Sequence, residues 1–149
     1  YSCNESGVIN KAIIYGQKKE SFDDLIKGNT IPTLTVIFRK TIYDLYRKEI
    51  QDNPAWGMGD YPMWLYFILH SKVHFINDIV GVYRALPESA SHSRSLKKKI
   101  KFVIGEYRVR LDMLKYANRK DLVFLAQKEL IKGLVISIAY KIAILCRLK

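Results

Sequence analysis

Asp60 is the residue best placed to do chemistry in this sequence. It stands in the run from Met58 to Tyr66, MGDYPMWLY, as the one acid at the mouth of an otherwise apolar stretch. A carboxylate held where a buried helix opens into a loop suits a general base, provided that a substrate hydroxyl comes within hydrogen-bond reach. The same position suits a helix cap, whose carboxylate accepts a backbone N–H and complements the helix dipole. The two roles are compatible, and spacing alone leaves both open.

The element that must hold Asp60 follows from Pro62. Proline has no N–H to give and is tolerated only in a first helical turn, so a helix starts at Asp60 or Tyr61 and runs on through Met63 to Leu69. Nearly all of it is apolar, hence buried. Upstream, residues 8–15 (VINKAIIY) and 31–38 (IPTLTVIF) are rich in β-branched and aromatic residues and bounded by Gly, Pro and Asn, which predicts strands. Between them Ser21 and Asp24 form a capping-box pattern that opens a short helix ended by Gly28. The adjacent Asp23 and Asp24 read as acids of that first turn rather than as metal ligands. Thr41 and Asp44 repeat the pattern and predict a helix over TIYDLYRKEI, followed by the loop QDNPAWGMG. Residues 73–84 (VHFINDIVGVYR) return to strand character, and Leu86 to Ser95 is a Ser-rich loop.

From Leu96 the period changes. Leu96, Ile100, Val103, Tyr107, Leu111 and Leu114 recur at spacings of three and four, with Lys97, Lys98, Lys101, Arg108 and Lys115 largely on the other side. That is an amphipathic helix. Asn118 and Asp121 predict the start of another. Its continuation, GLVISIAYKIAILC, has one charge, Lys141, in 14 residues, short of the roughly 20 apolar residues that a bilayer span requires. It is either a helix docked on the body or an interfacial one.

Charge divides the chain at the same place. Residues 1–90 carry 10 Lys/Arg against 10 Asp/Glu, and residues 91–149 carry 15 against 4, so the whole formal charge of +11 lies in the last 59 residues. A neutral body, 1–93, is thus followed by basic amphipathic helices, 94–149, suited to an anionic membrane surface or partner. Nucleic acid is disfavoured, because no recognised binding motif occurs and the neutral body continues no basic track. Cys3 and Cys146 stand at opposite ends without metal-like spacing, so no zinc site is suggested; free thiols in a reducing compartment are the default and a bridge between the ends is the alternative. The start, YSCNESGV, has neither an initiating Met nor a signal pattern, which reads as a beginning inside a larger protein.

Taken in order, an apolar run ending in a basic residue (IPTLTVIFRK), a short helix, an Asp opening an apolar helix (GDYPMWLYFIL), a strand, a Tyr-Arg pair and a Ser/His loop (GVYRALPESASHS) resemble the second half of an inverting family-2 glycosyltransferase. The resemblance covers about residues 1–95. It implies a mixed α/β fold, the C-terminal, acceptor-side half of a GT-A sheet with flanking helices. It also implies transfer of a hexose-type sugar from a nucleotide-sugar donor to a glycan or lipid-linked acceptor, as in polysaccharide biosynthesis. Asp60 then matches the catalytic base, although Gly59 stands where many members have Glu. Arg84 matches a basic residue near the acceptor and diphosphate, and would pair phosphate bidentately or serve as a structural ion pair. His92 falls in the loop that closes over the donor or its metal, where it is either a ligand or proton carrier or simply solvated. Tyr61 and Trp56 are the rings assigned to an acceptor wall, while Trp64 and Phe67 face the core.

The resemblance further implies a divalent metal, Mg or Mn, held mainly outside this chain, because no Asp-x-Asp occurs in it. Without such a clamp the diphosphate leaving group has little stabilisation, so the chain alone is expected to be inactive. Strands left from a split sheet would expose an edge that invites a second copy. The location implied is cytoplasmic, peripheral on the membrane's inner face. The rival reading is a non-catalytic basic module that binds an anionic membrane surface or a partner protein.

Overall fold

The computed structural model describes residues 1–4, 6–12, 14–86 and 95–147. Ser21 opens the first helix, α1 (Phe22–Leu25), as its spacing requires: its Oγ accepts from the Asp24 N–H at 3.1 Å and donates to Asp24 Oδ2 at 2.8 Å. Helix α2 (Lys40–Glu49) lies where the sequence puts it but without the expected Thr41 cap. Lys40 instead pairs with Asp44 one turn on, at 2.6 Å, the (i, i+4) geometry of neighbouring side chains on a helix. Helix α3 (Asp60–His70) carries Pro62 in its first turn and buries Tyr61, Trp64, Leu65, Tyr66 and Phe67.

These helices form a first unit, Tyr1–Asp52 with Asp60–Leu86. Its core is an edge-to-face aromatic cluster: the Tyr46 ring lies 5.5 Å from Tyr66 and 6.4 Å from Phe67, and Trp64 lies 5.7 Å from Phe67. Such pairs stabilise by about 0.5–1.5 kcal/mol beyond the area they bury. The Tyr46 hydroxyl is buried without a hydrogen-bond partner, and loss of solvent there pushes its phenol up to about 12, with Asp52 adding to the shift. It stays neutral at any physiological pH.

The strands are the correction. Helix far outweighs strand among the described residues, so the fold is mostly helical and not the expected α/β half of a GT-A sheet. Three two-residue strands make one small sheet. β1 (Ser2–Cys3) runs antiparallel to β2 (Ile9–Asn10) and parallel to β3 (Tyr83–Arg84), in the order β2-β1-β3. Residues 31–38 form no strand: Thr33–Thr35 is a single 3₁₀ turn after Pro32, and Ile37 and Phe38 are exposed. Of residues 73–84 only the last two pair, while Ile76, Ile79 and Val80 are exposed. A β-branched run becomes a strand where it has ladder partners; apart from Tyr83 and Arg84 these runs have none among the described residues, although Phe38 packs its ring 5.1 Å from Phe67.

The second unit comprises Asn53–Gly59 and Pro87–Lys149, so the loop before α3 belongs with the basic helices, a division that the charge boundary near residue 93 does not display. Helix α4 (Leu96–Tyr116) is capped by Ser95, whose Oγ accepts from the Lys98 N–H. It ends in a left-handed residue, Asn118, at φ 52°, with the Arg119 N–H bonded to the Leu114 carbonyl and the Asn118 N–H to that of Lys115. This is a Schellman ending, so Asn118 closes α4 rather than starting the next helix. A 3₁₀ turn, Lys120–Leu122, leads into α5 (Val123–Arg147).

Helices α4 and α5 pack where Gly133 faces Val103, at a separation that a Cβ would reduce to 2.8 Å. Gly105 is tighter: a Cβ there would run into the Trp56 carbonyl oxygen. Gly105→Ala is therefore expected to lower the stability of the protein by about 1–3 kcal/mol through overpacking, read as a lower denaturant midpoint. A midpoint within error of wild type would show that the loop yields freely.

Candidate functional site

Asp60 is the first residue of α3 and is half-buried as a residue, while the hydrogen bond that its carboxylate accepts is exposed. Its Oδ2 accepts a hydrogen bond from Thr33 Oγ1 at 2.7 Å, rather than from a backbone N–H of its own helix. Thr33 sits in the 3₁₀ turn that follows Pro32, so that turn and the start of α3, 27 positions apart, meet at one carboxylate. A carboxylate has two oxygens and about four lone-pair sites. One bond from Thr33 fixes its orientation and leaves acceptor capacity for an incoming hydroxyl.

The helix that presents Asp60 is anchored by the next residue. Tyr61 is 0% exposed, and its hydroxyl donates to the Leu25 carbonyl at 2.9 Å, with the Ile26 carbonyl at 3.2 Å sharing the proton. Both carbonyls stand at the end of α1, so Tyr61 ties the start of α3 to α1. A ring without exposed surface offers no face to a sugar, and the acceptor-wall role has nothing to act through there.

Trp56 is placed likewise. It is 4% exposed and belongs to the second unit, where its Nε1 donates to Asp112 Oδ2 at 2.8 Å and the Asn53 Nδ2 donates to the same oxygen at 3.2 Å. Its function is to seat the 53–59 loop on α4. Trp64 and Phe67 face the core as expected, 2% and 5% exposed. Arg84 is exposed on β3, in register with Cys3, and the neighbouring Tyr83 ring lies 5.2 Å from Tyr15. Strand alternation puts the Tyr83 and Arg84 side chains on opposite faces. His92 lies outside the described residues.

Thr33 and Asp112 are the two contributors that sequence reasoning missed. Neither stands in a motif, and each acts on a residue far along the chain.

No group of three His, Cys, Asp or Glu that could hold a metal ion occurs among the described residues. Asp60 and Thr33 offer one carboxylate and one hydroxyl, and a divalent metal held mainly outside this chain would complete its oxygen shell with phosphate and water. No step through a metal is assigned to these residues. Cys3 is buried in β1 and Cys146 exposed on α5, both as free thiols. Among the described residues no helix is long and apolar enough to cross a membrane. No family model matches the chain, and neither a curated protein nor a solved structure matches it.

Proposed function

We propose that the chain supplies the acceptor side of an inverting glycosyltransferase, with Asp60 as its general base. The acceptor hydroxyl of a glycan or lipid-linked sugar attacks the anomeric carbon of a nucleotide sugar, and Asp60 takes the hydroxyl proton. The new C–O bond forms on the face opposite the leaving group, and the nucleotide diphosphate departs with the electrons of the broken bond. The observation that carries this reading is the Asp60–Thr33 pair, a carboxylate oriented at a helix start and still open to a second donor. The resemblance of the run around it supports the same chemistry. Arg84 is the group proposed for phosphate oxygens, exposed and able to bind them bidentately. The reading places the protein in the cytoplasm, at the inner face of the membrane.

The test is transfer by the full-length gene product from a panel of nucleotide sugars to glycan and lipid-linked acceptors, with product stereochemistry read by NMR. Inverted product supports the assignment. Neither transfer nor donor hydrolysis across the panel overturns it in favour of the non-catalytic basic module. In the active system Thr33→Val, which removes the orienting donor, is expected to lower kcat about threefold to tenfold, the rate equivalent of one hydrogen bond of about 0.5–1.5 kcal/mol. Thr33→Ser should restore it, since serine keeps the hydroxyl. A valine variant with unchanged kcat would show that Thr33 does not position the base.

A further inference from the structure

Helix α5 leaves an apolar stripe uncovered. Phe124, Ile131, Val135, Ile138 and Ile142 are 48% to 72% exposed, and their spacings of seven, four, three and four place them along one line of the helix. The opposite side, with Ala126, Gly133 and Ser137, packs toward α4. The unit that carries the stripe is strongly basic, with 13 Lys/Arg and 4 Asp/Glu in residues 95–147, and lysines of α5 itself flank the stripe: Lys128 and Lys132, both exposed, on one side and Lys141 on the other.

We infer that the α4–α5 hairpin is a peripheral docking surface for an anionic lipid bilayer. The α5 stripe enters the headgroup and acyl boundary, and Lys128, Lys132 and Lys141, which flank it on the same helix, meet lipid phosphates. Interfacial helices bind through this combination of buried apolar area and attraction to anionic lipid. Charge decides against a second copy as the occupant, since pairing two such units brings two strongly positive surfaces together. Lys128 decides likewise. It is exposed four residues after Phe124 and three before Ile131, at the edge of the stripe, where a dry helix–helix seam would trap an unpaired ammonium. At a bilayer the same side chain extends its stem along the acyl boundary and its charge to phosphate level.

This surface is independent of the transferase reading, because vesicle binding is measured without turnover. The full chain is sedimented with vesicles of phosphatidylcholine alone and of phosphatidylcholine mixed with phosphatidylglycerol. Binding is expected to the mixed vesicles only and to fall as salt is raised. Lys128→Gln and Lys132→Gln should each weaken it about fivefold. Ile131→Ser with Ile138→Ser, on a side already exposed and with circular dichroism unchanged, should weaken it about tenfold or more. Failure to bind mixed vesicles at low salt overturns the inference, as does binding that none of these substitutions changes. A concentration-dependent dimer that Ile131→Ser dissociates, with no vesicle binding, would overturn it and assign the stripe to a second copy.

Discussion

Asp60→Asn is expected to lower kcat for sugar transfer by about 10²–10⁴-fold, the contribution of a positioned general base, while leaving the fold intact. Asparagine has the size of aspartate, and its Oδ1 accepts from the Thr33 hydroxyl as Oδ2 of Asp60 does. It cannot take a proton from an acceptor, having lost the basic oxygen. The measurement is single-turnover transfer by the full-length product beside thermal unfolding of the same preparation. A base acts on the chemical step, so KM should change little and the loss should appear in kcat. Near-normal turnover would remove Asp60 from the mechanism. An unfolding midpoint lowered by several degrees together with lost transfer would assign Asp60 to holding α3 and Thr33 together.

The helices were largely legible because their signals are local. Pro62 and the apolar run after it specify where α3 starts, Ser21 with Asp24 specifies α1, and the three-and-four spacing from Leu96 specifies α4. The strands were misread because their signal is conditional. IPTLTVIF has the composition of a strand, but it contains no information about whether a neighbouring chain segment is present to pair with it, and in this structure none is. Thr33 and Asp112 were illegible for the related reason that a hydrogen bond spanning 27 or 56 positions leaves no trace in local spacing. Tyr61 differs. With α3 starting at Asp60, residues 61, 64, 65 and 68 share one face, and Trp64 and Leu65 are plainly core. Its burial could have been deduced from the period, where nearness to the loop suggested a binding ring instead.

That burial makes Tyr61 the position with the largest expected effect on stability. Tyr61→Ala removes a fully buried ring between α3 and the end of α1 and should cost about 3–5 kcal/mol, a large part of the stability of a domain of this size. Tyr61→Phe separates the two contributions of the side chain. It keeps the ring and removes only the hydroxyl, leaving the Leu25 and Ile26 carbonyls without that donor, for about 1–3 kcal/mol. Denaturant unfolding of both variants measures each term, with unchanged slopes required for the comparison. The consequence for function follows from position: Asp60 precedes Tyr61 on the same helical turn, so a looser anchor widens the distribution of carboxylate orientations. Tyr61→Phe should accordingly lower kcat modestly and leave KM for the acceptor unchanged. If the ring instead contacts the acceptor, Tyr61→Phe will raise KM at unchanged stability, and that pattern would return Tyr61 from scaffold to binding site.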